Sequence, residues 1–121
     1  MRLLKWFGLT ALISMSAIYS PTAYAEVPLS KYTEFRNSVP QFTDYLVGVG
    51  RGIFWANVLL GIHGKPRLFC MPQKLALDEG IILSLIDQEI RSPSSGKPYA
   101  NDASVEMVMV FAFVRRFPCN P

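Results

Sequence analysis

The sequence has 121 residues, of which 12 are lysine or arginine and 9 are aspartate or glutamate, giving a formal charge of +3. Arg2 and Lys5 lie in an N-terminal segment that we expect to be removed, which leaves ten basic against nine acidic side chains. A mature chain so close to neutrality lacks the electrostatic footprint of a protein that binds nucleic acid or anionic lipid. Its length suffices for one domain with one modest core and is too short for two.

Residues 1–25 have the pattern of a secretory signal peptide. Arg2 and Lys5 precede the apolar run LTALISMSAIYS, and TAYA then places small residues where a signal peptidase cuts, after Ala25. An N-terminal membrane anchor is the alternative, but the apolar run is short for a span and no stop-transfer pattern follows it. We therefore predict export with cleavage, a single domain over residues 26–121, and no membrane insertion of the mature chain.

Two helices are predicted in the first half of the mature chain, over residues 30–38 and 40–62. Ser38 and Gln41 have the spacing of a capping box. The letters HGKP end the second helix, because glycine suits the residue just past a helix and proline cannot continue one. Apolar residues recur in the second helix at intervals of three and four, which predicts one buried face. That face comprises Phe42, Tyr45, Leu46, Val49, Ile53, Ala56 and Leu60.

The second helix contains the string GVGRG, which allows three interpretations. A phosphate-binding loop needs a strand before it and a helix after it, whereas these glycines lie inside a helical pattern. Gly48 and Gly52, four residues apart, instead predict close packing of another helix against this one. A transmembrane helix over residues 45–62 is the third interpretation, but it would place Arg51 in mid-membrane at a cost of about 2.5–3.5 kcal/mol. We predict a buried helix of a soluble bundle.

A third and a fourth helix are predicted in the second half of the chain. Asp78 has the position of an N-cap for a helix over residues 79–91. Its apolar face holds Ile82, Leu85, Ile86 and Ile90. The segment 103–117, capped by Asp102, is less clear, because its apolar run 107–114 fits a buried strand as well as a buried helix. Length and the cap favour a helix.

Cys70 and Cys119 are the only cysteines of the sequence. An exported chain meets an oxidising compartment, where an even number of cysteines predicts disulfides, and two cysteines allow one intramolecular pairing. Such a bond closes a loop of about 50 residues and stabilises the fold by about 4 kcal/mol on the loop-entropy argument. In a domain of this size that is a large share of the total stability.

Groups suited to catalysis or metal binding are sparse. His63 is the sole histidine and is expected at the exposed end of a helix; with both cysteines bonded, neither a Cys–His nor a Ser–His–Asp set can be assembled. Asp87 and Glu89, two residues apart, cannot share a helix face. Arg115 and Arg116 suit the solvated C-terminus of a helix. We predict a protein that is not an enzyme and holds no metal or cofactor.

Several motifs taken together carry a family resemblance. They are YLVGVGRGIFWAN, LFCMP, KLAL before an acidic helix start, a proline-containing loop and a terminal FPC. In this order and at this separation they resemble the Rap/Tai family of immunity proteins of type VI secretion, over about residues 42–119. The resemblance implies a small, all-α, periplasmic and often dimeric protein, in which Cys70 and Cys119 match the family's paired cysteines. It also implies a protein that binds and blocks a peptidoglycan amidase effector.

The loop over residues 92–101 is the candidate partner-binding site, since the resemblance supplies no contact residues. Long exposed loops often carry function, although a tolerated insertion has the same appearance. The predicted contacts are Ser94, Ser95, Lys97 and Tyr99. We expect an all-α bundle of about four helices with one disulfide, acting as a periplasmic immunity protein, with a homodimer as a further expectation. The alternative is a periplasmic adaptor or chaperone-like binding protein without a toxin partner.

Overall fold

Four α-helices make up the part of the chain that the structure describes. The computed structural model describes residues 26–120, and the predicted signal peptide, residues 1–25, lies outside them. The helices are α1 (Leu29–Ser38), α2 (Pro40–Ile62), α3 (Glu79–Arg91) and α4 (Val105–Arg116). Within the described part of the chain no β-strand forms, and one isolated bridge joins Pro28 to Ser104. The predicted all-α bundle is confirmed, and the strand alternative for residues 107–114 is excluded.

The core lies where α3 and α4 pack against each other and against α2. Leu46 of α2, Ile82 of α3 and Phe113 of α4 are fully buried there. Phe113 also stacks on Phe69, from the segment after α2, with 5.0 Å between the ring centroids. Aromatic side chains bury a large apolar area, so this pair attaches the segment to the bundle. The other buried apolar residues are Tyr32, Phe42, Leu77, Leu85, Ile86, Val105, Val108, Met109 and Ala112.

The helices of the second half begin at side-chain caps, one of them predicted and one not. Asp78 caps α3 as predicted, because its carboxylate accepts from the backbone N–H of Ile81 at 2.9 Å. The predicted cap Asp102 is wrong, since the N-cap of α4 is Ser104. The hydroxyl of Ser104 accepts from the N–H of Met107 at 3.1 Å. Aspartate and serine are equally good caps, so the residue type alone could not choose between two positions so close together.

The predicted capping box of α2 is also wrong. Val39 is the N-cap and makes no side-chain hydrogen bond, while the hydroxyl of Ser38 donates to the carbonyl of Glu34 at 2.7 Å. Ser38 is therefore the last residue of α1, and Pro40 begins α2. Bonding to the carbonyl four residues earlier is the competing use of a serine hydroxyl, and here it prevails.

The face that α2 buries matches the predicted one only in part. Phe42 and Leu46 are buried and Val49 and Ile53 pack against the core, as predicted. Tyr45 is 40% exposed and Ala56 is exposed, whereas Gly50 and Asn57 are buried. Apolar residues occur on all sides of this 23-residue helix, so their spacing could not select the face. The side-chain amide of Asn57 donates to the carbonyl of Phe69 at 2.8 Å. Its oxygen accepts from the backbone N–H of Leu68 at 2.7 Å. A buried amide satisfied in this way fixes the segment after α2 against the helix.

Gly50 is the position at which α2 is approached closely. A Cβ built on Gly50 would lie 2.5 Å from Cδ1 of Ile82 and 3.4 Å from Sδ of Met109. At Gly48 and Gly52 a Cβ would meet no atom of the described residues within 4 Å. Within this chain the predicted packing role of Gly48 and Gly52 is therefore wrong, because both glycines lie on the exposed side of the helix.

Alanine is expected to have opposite effects at buried and exposed glycines of α2. Gly50→Ala forces the fully buried Ile82 to move and should lower the free energy of unfolding by about 1–3 kcal/mol. Gly52→Ala places its methyl group in open space and should raise the free energy by up to about 1 kcal/mol, because alanine is the better helix former. Urea denaturation followed by circular dichroism measures both changes. Equal effects at the two positions would contradict the buried face described above.

The predicted disulfide between Cys70 and Cys119 is confirmed. It joins the segment after α2 to the chain beyond α4, across a sequence separation of 49 residues. The backbone N–H of Cys70 also donates to the carbonyl of Phe117 at 2.8 Å. Both cysteines of the sequence are thus bonded, which is compatible with a protein exported to an oxidising compartment.

Candidate functional site

The predicted partner-binding residues lie on the connection between α3 and α4, residues 92–104. Ser94, Ser95 and Lys97 are exposed, whereas Tyr99 is half-buried and packs against the core. The structure therefore brings three of the four predicted contacts to the surface at one point. The fourth has its aromatic ring turned toward the bundle.

The loop tip, residues 94–97, is a tight turn with internal hydrogen bonds. Gly96 has a φ of +74°, a conformation that favours glycine, and its N–H donates to the carbonyl of Pro93 at 3.0 Å. The hydroxyl of Ser95 donates to the carbonyl of Lys97 at 3.2 Å and accepts from the N–H of the same residue at 3.4 Å. The loop tip thus has a defined shape and presents hydroxyls and an ammonium group to solvent.

Glu89, near the end of α3, is bonded to both sides of the loop tip. Its side chain is 1% exposed. One carboxylate oxygen, Oε1, accepts from the backbone N–H of Ser94 at 2.7 Å and from the hydroxyl of Tyr99 at 2.7 Å. Hydrogen bonds to an ionised carboxylate are stronger than those between neutral groups. The buried carboxylate therefore fixes the loop tip to the helix.

Arg115 of α4 supplies the positive charge opposite this carboxylate. Its Nη1 lies 3.7 Å from Oε2 of Glu89 and also donates to the carbonyl of Ser92, while Nη2 lies 3.3 Å from the Ser92 hydroxyl. The start of the loop is thereby bonded to α4. We name this group the loop anchor; it consists of Glu89, Ser92, Ser94, Tyr99 and Arg115.

The hydrogen bonds of the loop anchor have a larger effect than burial on the pKa of Glu89, so this carboxyl stays ionised. Burial alone would raise the pKa of this carboxyl, but the N–H of Ser94 and the hydroxyl of Tyr99, with the charge of Arg115, hold the pKa below its ordinary value. The pKa of Tyr99 is raised, mainly by burial and in addition by its hydrogen bond to Glu89. At neutral pH the loop anchor therefore contains a carboxylate and a neutral phenol.

Glu106 forms a comparable cluster at the start of α4. Its carboxylate accepts from the N–H of Val27 at 3.1 Å, from the hydroxyl of Ser104 at 2.8 Å and from the hydroxyl of Tyr45. Burial would raise the pKa of Glu106, but these hydrogen bonds hold it below its ordinary value. The pKa of Tyr45 is raised to about 12, mainly by burial and in addition by its hydrogen bond to Glu106. The cluster joins α2 and the chain before α1 to α4.

Acid is expected to destabilise the protein through Glu89 and Glu106. The pKa of each is lower in the folded chain than in the unfolded chain, where a glutamate titrates near pH 4.3. Each carboxylate therefore stabilises the fold fully above about pH 5, and the stabilisation is lost as the pH falls through the folded-state pKa. The urea midpoint should fall over this range, and less so in a Glu89→Gln, Glu106→Gln double variant. Glu34→Gln, at an exposed glutamate of α1, is the matched control substitution.

Asp87 and Glu89 serve separate contacts, as their spacing predicted. Asp87 accepts from the hydroxyl of Tyr32 at 2.8 Å and pairs with Arg36, which joins α3 to α1. His63 is the C-cap of α2 and is exposed. The buried acidic groups are thus engaged within the chain. The groups that face solvent at the loop tip are hydrogen-bonding groups and one cation, which suit recognition of a polar surface.

A cleft of about 330 Å³ lies beside the loop anchor, between the C-terminal ends of α3 and α4. Arg91, Arg115 and Arg116 all line it. The sequence predicted that Arg115 and Arg116 together form a solvated helix end. Both residues lie exposed in the last turn of α4, as predicted, and Arg115 is in addition bonded to the loop.

Glu89, Ser92 and Arg115 are the residues of the loop anchor that the sequence analysis did not assign to the site, and Glu89 is the one with a recognisable signal. It lies seven residues after Ile82, on the stripe that continues through Leu85 and Ile86. An acidic residue on an otherwise apolar helix face is the signal that could have identified it. A buried carboxylate requires donors, and the loop that follows α3 supplies them.

Comparison of this chain with models of protein families, with curated protein sequences and with solved structures finds no match. The resemblance to the Rap/Tai family consequently remains a prediction that rests on the sequence motifs. The helical bundle, its disulfide and the loop anchor are the observations on which a function can be built.

Proposed function

We propose that this chain is a periplasmic immunity protein that binds and occludes a cell-wall amidase effector of a type VI secretion system. The observation that carries the proposal is the loop tip, an exposed polar turn held by the buried carboxylate of Glu89. The motifs that resemble the Rap/Tai family support the choice of partner. The disulfide and the predicted signal peptide support the periplasm as the compartment.

In this proposal the loop tip enters the substrate cleft of the effector. The hydroxyls of Ser94 and Ser95 and the ammonium group of Lys97 provide donors and acceptors for polar groups there. Because the loop anchor fixes the loop before binding, less conformational entropy is lost on association. The helical bundle behind the loop then covers the cleft against its polymeric substrate. Inhibition of this kind needs no reaction on the immunity protein.

A co-expression experiment tests the proposal. The candidate effector is an amidase whose gene adjoins the gene for this chain, and it is exported to the periplasm of a bacterial host with or without this protein. We expect lysis when the amidase is exported alone and growth when both proteins are present. The purified proteins should form a complex that abolishes amidase activity. Lysis that continues in the presence of this protein would overturn the proposal for that effector.

Two matched triple variants locate the contact surface. The tip variant carries Ser94→Ala, Ser95→Ala and Lys97→Ala. The control variant, on α1 and α2, carries Lys31→Ala, Thr33→Ala and Gln41→Ala. The tip variant keeps the backbone N–H of residue 94, from which Glu89 accepts a hydrogen bond, so it should fold. We expect the tip variant to fail to protect the host and the control variant to protect it fully. Full protection by the tip variant would exclude the loop tip. Capture of many unfolded clients in place of one amidase would support the adaptor or chaperone-like alternative.

Export is tested separately by mass spectrometry of protein recovered from the periplasm. We expect an N-terminus at Glu26 and the mass of the disulfide-bonded form. Retention of residues 1–25, or two free thiols, would contradict the predicted compartment.

A further inference from the structure

α2 exposes large apolar side chains on one side of its second half. Trp55 is 65% exposed, Leu59 is 52% exposed and Ile62 is 72% exposed. Their spacing of four and three residues places all three on one line along the helix surface. We name Trp55, Leu59 and Ile62 the apolar stripe. A stripe of this kind on a soluble domain marks a contact surface.

The same part of the chain carries positive charge only. Residues 45–77 contain Arg51, Lys65, Arg67 and Lys74 and no acidic residue, so that all nine acidic residues of the sequence lie outside this range. Each of these four cations is exposed. The net charge of the mature chain, close to zero, conceals this separation. The formally charged side chains within residues 45–77 are therefore all cationic, which favours contact with an anionic surface.

A small apolar cleft opens beside the stripe. Its volume is about 190 Å³, and it is lined by Arg51 together with Phe54, Trp55, Met71, Leu75 and Leu77. A guanidinium group at an apolar cleft suits an amphiphile with an anionic head, because the head pairs with the cation while the tail covers the apolar side chains. Charge and shape thus indicate the same class of ligand.

The fold determines how α2 can meet a bilayer. By length and composition alone this helix could cross a membrane. On the side opposite the stripe, however, Leu46 is fully buried and Asn57 is bonded to the segment after the helix. Crossing a membrane would require this side to leave the core. A helix with one side in the core and an exposed apolar side flanked by cations can instead lie on a bilayer surface.

We propose that the apolar stripe, with Arg51 and Lys65, docks on the surface of an anionic bilayer. Trp55 lies at the level of the lipid headgroups, where tryptophan is favoured. Leu59 and Ile62 reach the acyl boundary, and the two cations pair with lipid phosphates. The proposal does not depend on the loop tip or on an effector.

A second copy of the chain would cover the stripe less favourably. Packing two stripes against each other brings Arg51 and Lys65 of one copy toward the same cations of the other, because Arg51 lies one turn before the stripe and Lys65 follows its end. Like charges brought together at an interface lower the affinity. An anionic surface attracts the same residues.

Trp55 is the reporter for the test. The sequence has two tryptophans, and Trp6 lies in the signal peptide that we expect to be cleaved, so Trp55 is the tryptophan that reports in the exported protein. The exported protein is mixed with vesicles of phosphatidylglycerol and phosphatidylcholine, or of phosphatidylcholine alone. With phosphatidylglycerol present, we expect the fluorescence of Trp55 to shift to shorter wavelength and the protein to sediment with the vesicles. Neither change is expected with phosphatidylcholine alone.

Matched variants separate the apolar contact from the charge. The apolar variant is Leu59→Ser with Ile62→Ser, and its control on α4 is Phe111→Ser with Val114→Ser. The charge variant is Arg51→Gln with Lys65→Gln, and its control is Arg91→Gln with Lys97→Gln. The apolar variant should partition about tenfold more weakly. The charge variant should lose about fivefold for each cation removed. Both controls should bind like the parent protein.

Three results would overturn the proposal. The first is equal binding, or equal absence of binding, with the two kinds of vesicle. The second is a loss of binding in the controls as large as in the stripe and charge variants. The third is a fluorescence shift that grows with protein concentration in the absence of vesicles, which would show that a second copy covers the stripe.

Discussion

Reduction of the disulfide between Cys70 and Cys119 should lower the free energy of unfolding by about 4 kcal/mol. The bond closes a loop across a sequence separation of 49 residues, and opening it returns conformational freedom to the unfolded chain. Small domains are stable by about 5–15 kcal/mol in total. The reduced protein should therefore lose a large share of its stability.

The reduced protein should nevertheless remain folded in the absence of denaturant. The N–H of Cys70 donates to the carbonyl of Phe117 at 2.8 Å, and this backbone bond does not require the disulfide. Phe69, one residue before the cysteine, is fully buried and stacks on Phe113. These contacts hold the segment after α2 against α4. We therefore expect a loss of stability with the helical fold retained.

Urea denaturation with and without reductant measures this loss. Circular dichroism should show the same helical signal in buffer and a lower urea midpoint after reduction. The variant Cys70→Ser with Cys119→Ser should unfold like the reduced parent protein and should not respond to reductant. An unchanged midpoint after reduction would show that the bond does not restrain the unfolded chain, and the loop-entropy argument would then be wrong for this protein.

The helices could be predicted from the sequence because their determinants are local. The predicted limits 40–62 and 79–91 agree with those of α2 and α3. Prolines and glycines mark the ends of α2, and Asp78 caps the start of α3. The first three helices and the disulfide follow from such short-range signals and from the number of cysteines, whereas the local pattern of the fourth helix also fitted a strand. These features required no knowledge of which helices meet.

The side that each helix buries depends on partners distant in the sequence, and here the prediction was incomplete. Gly50 is buried because Ile82 of another helix lies against it, and no signal within α2 specifies that contact. The exposed loop tip was predicted from composition. The inward position of Tyr99 was not, because it depends on a carboxylate ten residues earlier on α3. Polar bonds over such distances connect residues that pattern analysis treats separately.

Glu89→Ala should lower the free energy of unfolding by about 2–4 kcal/mol and release the loop tip. The substitution leaves the N–H of Ser94 and the hydroxyl of Tyr99 without their acceptor, and it removes the negative charge opposite Arg115. Water can reach the exposed Ser94, which keeps the cost below that of a fully enclosed pair. Amide exchange at the loop tip should accelerate together with the loss of stability.

Three further substitutions separate the contributions to the loop anchor. Glu89→Gln keeps an acceptor oxygen but removes the charge, so it should cost less than alanine. Tyr99→Phe removes one donor and keeps the ring in the core, at a cost of about 1 kcal/mol. Gln88→Ala, at the exposed neighbouring position of α3, should change stability by less than about 0.5 kcal/mol. A Glu89→Ala variant as stable as Gln88→Ala would contradict the role of the carboxylate.

The same variants test whether the loop must be held in place in order to inhibit an effector. Glu89 is buried and cannot touch a partner, so Glu89→Ala protein that is still folded should weaken inhibition only by loosening the loop tip. Raising its concentration should restore inhibition, because an ordering cost lowers affinity without removing the contact groups. The tip variant, which lacks those groups, should not recover in this way. If Glu89→Ala inhibits as tightly as the parent protein, the loop is either held by other contacts or does not meet the effector, and the tip variant distinguishes these two cases.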